Sequence, residues 1–268
     1  MIPMPARVAA FVLLVALTAG CGGPIRMPAP VTTPSMTTVP APSTVTASPS
    51  AGAPGSVPGG GPDALPDARP PVDAAAALAV LAVKGRAPMT GYSRTRFGPA
   101  WTDTDRNGCD QRNQVLARDM TGELIKPKTH GCVVTSGHLH DPYTGKEIAF
   151  LRGDKTSTAV QIDHVVALGD AWQTGAQQLD APTLLQLAND PLNLLAVDGP
   201  TNQGKGDSDA ASWLPPNRAY RCAYVSRQVA VKRHYRLWVT AAERTAIATV
   251  LAACPGQPLP TDKAETAG

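Results

Sequence analysis

Residues 160–172 read VQIDHVVALGDAW, an otherwise apolar stretch that keeps Asp163 and His164 at its centre. Val160, Ile162, Val165 and Val166 make it a buried strand, spanning Thr158 to Ala167 and ending in a loop at Gly169. Burying two ionisable groups costs several kcal/mol unless each finds a partner. Adjacent strand residues face opposite ways. The two can serve one substrate only if the strand is ending and the chain turning there.

Downstream, Asn193 opens a second strand, NLLAVD (193–198), and GPTNQGKGDSDAASWLPP (199–216) turns into a helix that two prolines stop. Asp163, His164, Asn193, Asn202, Lys205 and Asp207 are thus gathered on strand, strand and helix. Phosphodiester cleavage needs such groups. A neutral imidazole, with an ordinary pKa of about 6.5, can take a proton from water near neutral pH. A hard cation on a few oxygen ligands can stabilise the phosphate and the departing oxygen.

IDHVVAL followed by NDPLNLLAVDGPTNQGKGD resembles the HNH endonucleases, also called His-Me finger or ββα-metal nucleases. GYSRTRFGPAW, NGCDQRN, HDPYTG and WLPPN extend a closer similarity, to the GmrSD-type C-terminal nuclease domain of small exported bacterial proteins, over most of residues 72–254. The mixture of short strands and helices gives an α+β class, and the resemblance implies a ββα-metal core with additional helices. It makes His164 the general base and Asp163 and Asn202 the ligands of Mg²⁺ (or Mn²⁺). Asn193 ties the loop carrying the histidine to the next strand. Lys205, Arg94 and Arg112 meet substrate phosphate, and Asp207 supports the metal shell or caps a helix. The implied activity is endonucleolytic hydrolysis of nucleic acid, DNA in preference to RNA, by a monomer. The alternative is a non-catalytic envelope protein that binds a ligand on the same fold.

The flanks are of another kind. Arg7 and the apolar run Val8–Leu17 form a secretory signal, too short for a stable membrane span, and LTAGC (17–21) resembles a lipobox that would lipidate Cys21. Residues 1–21 are then the signal peptide. Residues 22–71, rich in Pro, Ala, Ser and Thr, form a tether that cannot build a core. Residues 72–254 are the nuclease domain, and 255–268 a loose tail. This places the protein outside the cell, lipid-anchored to the outer face of the membrane.

The cysteines agree with export. Besides Cys21 there remain Cys109, Cys132, Cys222 and Cys254, an even set with no CxxC pair, so disulfides are favoured over zinc. Three pairings are open, and Cys109 with Cys132 and Cys222 with Cys254 are preferred because each closes a local segment. The net charge of +3 tolerates a polyanion without demanding one.

Helices are expected over Asp73–Val83, from near Asp110 through Met120, over Ala171–Gln178 and Pro182–Leu187, over Tyr220–Tyr235, and from a Thr240–Glu243 capping box to Ala253. Cys132–Ser136 and Ile148–Leu151 read as strands. His138 and His140 on one strand face are a weaker zinc candidate, more often simply solvated. The cations Arg218 to Arg236 suit either a nucleic-acid surface or a solvent face. Trp101, Trp172, Trp213 and Trp238 are expected in the core.

Overall fold

The computed structural model describes residues 72–260, which form a mixed α+β domain. The signal peptide (1–21), lipidation at Cys21, the tether (22–71) and the last eight residues of the tail lie outside the described residues.

Asp73 caps the first helix by accepting from the Ala76 amide, as the sequence predicts. This helix, α1 (Ala74–Val80), stops short of Val83 because Val83 instead bridges in parallel to Val239. Asp110 caps α2 (Gln111–Asp119) through the Asn113 amide. Met120, expected to end that helix, begins a strand. Strands β1 (Met120–Ile125), β2 (Val134–His140) and β3 (Glu147–Leu151) form an antiparallel sheet in the order β1-β2-β3.

The central stretch folds as β4 (Val160–His164), shorter than the expected strand at both ends. It pairs antiparallel with β5 (Leu194–Asp198), with Asp163 opposite Leu195 and His164 opposite Leu194. Between them lie α3 (Leu168–Gln173) and α4 (Ala181–Asn189), and α5 (Gly199–Lys205) follows β5 directly. The last helices are α6 (Arg221–His234) and α7 (Ala241–Leu251), the latter with the expected capping box at Thr240 and Glu243.

This two-stranded ladder is apolar on both faces because it is buried between two clusters. Val160, Ile162, Leu194 and Ala196 pack with Val115, Leu116, Val134 and Phe150. Leu195 and Val197 pack with Tyr143, Val165, Tyr224 and Val225. Continuous burial explains why the stretch lacks the alternation of a half-exposed strand.

The disulfides pair Cys109 with Cys132 and Cys222 with Cys254. Residues 255–260, expected to be loose, are pinned instead. Leu259 donates its amide to the Val72 carbonyl at 2.8 Å, and Ser226 bonds the Pro258 carbonyl at 2.6 Å. The basic helix is corrected too. Along α6, Tyr224 through Lys232 are all buried. Arg227 donates to the carbonyls of Pro191, Leu192 and Leu194, and Lys232 pairs with Asp170 and Glu243, so these two cations face protein. Trp172 and Trp238 are buried as expected, whereas Trp101 and Trp213 are half-buried.

Candidate active site

His164 is the last residue of β4, and its ring faces a pocket of about 370 Å³ walled by Arg94, Phe97, Pro99, Trp101, Leu168 and Ala188. Its Nε2 lies 2.9 Å from the Ala188 carbonyl. A carbonyl can only accept, so Nε2 carries the proton and Nδ1 keeps the lone pair. Burial disfavours the imidazolium and pushes the pKa down to about 4, against the opposing pull of the Ala188 carbonyl and Asp163. The ring is therefore neutral at physiological pH, with Nδ1 unprotonated and not engaged by that carbonyl, and burial makes it a weaker base than a free imidazole.

Arg94 is brought to this histidine. It lies in the short 3-10 helix Arg94–Phe97, exposed at the pocket wall, and makes no ion pair among the described residues. The Trp101 backbone has a positive φ of 61°, uncommon for a bulky residue. Its carbonyl accepts the Gln111 amide, which ties the pocket wall to the start of α2.

Asn193 is wholly buried where the chain enters β5. Its Oδ1 accepts from the Val166 amide at 2.8 Å, and its Nδ2 reaches the Val166 and Leu187 carbonyls at 3.2 and 3.3 Å. One side chain thus clamps the segment just after His164 to the end of α4, whose Ala188 holds the imidazole. Arg118 and Arg227 add donors to the Pro191 and Leu194 carbonyls beside it.

Asp163 points to the other face of the ladder. Its Oδ2 accepts from the Tyr143 hydroxyl at 2.5 Å and its Oδ1 from the Lys205 ammonium at 3.0 Å. Burial, then the Asp163 charge, holds the Tyr143 pKa well above the usual phenol range, so it stays a donor. Lys205, expected at a substrate phosphate, is sealed inside, where it also bonds the His164 main-chain carbonyl at 2.8 Å. Asn202, one turn earlier on α5, bonds Gln161 through Nδ2 at 2.9 Å. Asn202 and Lys205 therefore stack over Gln161 and Asp163 on one face, while His164 occupies the opposite one. The strand is still paired at His164, so the turn that would bring acid and imidazole together does not occur there.

Arg112 does not line the pocket. It is half-buried over the Phe150 ring, and burial lowers its pKa. Asp207 accepts from the Gly169 amide at 3.3 Å, in the first turn of α3. A Cβ on Gly169 would lie 2.5 Å from the Asp207 carboxyl carbon, so a larger residue there would push this exposed carboxylate aside. His140 pairs with Glu147 at an exposed edge at 2.6 Å, a solvated arrangement.

Among the described residues, one group of carboxylates could in principle surround an ion: Asp170, Asp209 and Glu243. Two cations already occupy it. Lys232 lies 3.0 Å from Asp170 and 2.7 Å from Glu243, and Arg86 lies 2.7 Å from Asp209. Tyr143, Gln161 and Ala188 were not singled out by sequence. Tyr143 sits in HDPYTG, a stretch that carries the family resemblance, but its bond to Asp163 twenty residues on has no local signature, and a carbonyl contact such as that of Ala188 leaves no sequence signal.

The chain matches a family model described as "GmrSD restriction endonucleases, C-terminal domain" over residues 110–250. An uncharacterized secreted protein of Arthroderma benhamiae is 37% identical over 179 residues, covering 66% of this chain and 82% of that protein. No solved structure matches. The family match runs from the cap of α2 into α7 and takes in β4, β5 and α5, and the protein belongs to the family of the GmrSD restriction endonuclease C-terminal domain.

Proposed function

We propose that this protein is an exported nuclease in which Nδ1 of His164 takes the proton from the attacking water. The observation that carries this reading is the imidazole itself. It is neutral, its Nε2 proton is given to the Ala188 carbonyl, which leaves Nδ1 unprotonated, and the residue lines a pocket with Arg94 on the wall. Arg94 supplies positive charge for a phosphate, and the bonds of Asn193 hold the histidine segment in place. Positioned proton transfer of this kind contributes typically about 10²–10⁴-fold. The succession β4, β5, α5, with Asp-His at the end of the first strand, supports a ββα core of the HNH type.

HNH-type nucleases in general use divalent metal ions. Asp163 and Asn202 do not fit that role as arranged here. Both oxygens of Asp163 are engaged, one by an ammonium, and a cation there would have to displace Lys205. No step is therefore assigned to a metal on these residues.

Export is supported by the family relative named as secreted and by two disulfides, which persist in oxidising compartments. Lipid anchoring at Cys21 rests on LTAGC alone. The test of function is direct: supercoiled plasmid and end-labelled DNA and RNA strands are incubated with the protein in Mg²⁺, Mn²⁺ or EDTA. Cleavage of any strand supports the proposal. Intact substrates in every arm would overturn it in favour of a binding protein on the same fold.

A further inference from the structure

The stretch DTDRNGCDQRNQ, residues 103–114, runs from the loop before α2 into the first turn of that helix. Twelve-residue calcium loops place oxygen ligands at positions 1, 3 and 5, a main-chain carbonyl at 7, a turn glycine at 6 and a carboxylate at 12, with a helix leaving the loop. Counted from Asp103, the same places hold Asp103, Asp105, Asn107, the Cys109 carbonyl, Gly108 and Gln114. Only the last departs, with an amide in place of a carboxylate.

The structure folds this stretch accordingly. Asp103 Oδ1 accepts from the Asn107 amide at 3.1 Å and its Oδ2 from the Gly108 amide at 2.8 Å, which wraps the loop around its first residue. Arg106 and Gly108 take positive φ values of 57° and 91°. Gly108 supplies the turn that an L side chain would resist.

Three oxygens then converge on one point. Asp105 Oδ1, Asn107 Oδ1 and the Cys109 carbonyl lie 3.1, 3.1 and 2.9 Å from the Gln114 Nε2. The positive end of an amide dipole thus stands where these oxygens focus. Rotating that amide by half a turn would present its oxygen to a cation instead. A second observation lies at the ninth place of the same stretch, a position that in such loops faces the ion, often through water. Gln111 is wholly buried, donates from Nε2 to Thr104 within the loop at 3.2 Å, and leaves its Oε1 with no donor.

The geometry points to a calcium site formed by Asp103, Asp105, Asn107, the Cys109 carbonyl and Gln114, separate from the His164 pocket. Two carboxylates and a neutral twelfth ligand make it weak, in the range of about 10⁻⁴–10⁻³ M found for extracellular modules. Occupancy would stiffen the segment between Trp101, which walls the pocket, and α2, and the Cys109–Cys132 disulfide fastens the loop to the chain ahead of β2.

Trp101, two residues before the first ligand, provides the assay. Terbium is titrated into the disulfide-bonded protein with tryptophan excitation, calcium is used to compete it off, and calcium affinity is measured separately by calorimetry. We expect saturable terbium emission reversed by calcium, and loss of the emission with retained calcium affinity in Trp101→Phe. Asp105→Asn should weaken calcium at least tenfold, and Gln114→Glu should tighten it at least tenfold, with melting curves in the absence of calcium showing that both variants fold. Absence of saturable binding up to about 10 mM calcium, or affinity unchanged in both variants, would overturn the site. None of these readouts needs nucleic acid, so they stand whether or not the protein is a nuclease.

Discussion

Replacing Lys205 by methionine removes the ammonium from a site in which Asp163 has, among the described residues, one other hydrogen-bond partner, the Tyr143 hydroxyl. The lysine side chain has no exposed surface and that of Asp163 only 6%, so water cannot substitute. Breaking a buried pair from one side costs about 3–5 kcal/mol because a charge is left without its partner. For a domain of this size each kcal/mol shifts the melting temperature by about 2–4 °C, so Lys205→Met should melt roughly 6–20 °C lower. Exchanging both partners, Asp163→Asn with Lys205→Met, leaves a neutral amide beside Tyr143 and should recover a large part of the loss. The assay is urea unfolding followed by tryptophan fluorescence for wild type, both single variants and the double, closed as a thermodynamic cycle. If Lys205→Met unfolds within about 1 kcal/mol of wild type, the typical net value of an ordinary hydrogen bond, the pair is not the structural element described. Lys205 would then be free to reach substrate, as the sequence suggests.

Asn193→Ala strips partners from three buried backbone groups, each costing about 1–3 kcal/mol, and cleavage per folded molecule should fall because the His164 segment loses its clamp; unchanged activity at equal folded fraction would contradict this. Gly169→Ala sets a Cβ against the carboxylate of the exposed Asp207, which can swing away, so it should cost no more than the hydrogen bond lost, about 0.5–1.5 kcal/mol, read from melting curves beside Asp207→Ala. Burial pushes the Glu243 carboxyl up to about 7, against the pull of Lys232, from an ordinary 4.5. Its folded state holds the proton more tightly than the unfolded chain, so its contribution is full below about 4.5 and is lost as pH rises through about 7; Glu243→Gln should flatten the fall in melting temperature across that window. Removing Cys222–Cys254, which spans 32 residues, should cost about 3–4 kcal/mol, measured by urea unfolding of Cys222→Ala/Cys254→Ala under non-reducing conditions.

The local parts of the fold were legible from residue order. Asp73, Asp110 and Thr240 announce their helices because a cap is a contact between neighbours in sequence. Strands β4 and β5 followed from their apolar residues, and a helix after β5 was expected, but α5 stops at Lys205 with Gly206 as its cap, well before the two prolines expected to end it. Strand β1 was hidden: Thr121 through Leu124 are exposed and its pairing with β2 is irregular, so no alternation marks it. The cations of α6 were misleading for another reason. Arg227 and Lys232 look like a solvent face, yet carbonyls near residues 191–194 and the carboxylates of Asp170 and Glu243 receive them, and those partners come from elsewhere in the chain. The site divides in the same way. His164 and Asn193 could be picked out by type and order. The commitment of Asp163 to Tyr143 and Lys205 could not, because it depends on which side of a paired strand each residue faces.

The role of His164 as general base is tested most directly by comparing wild type with His164→Ala on the same labelled nucleic acid, with folding monitored by thermal melting. The expected result is a loss of at least about 10²-fold in cleavage rate with the folded fraction preserved. Cleavage at the wild-type rate by the alanine variant would contradict that role.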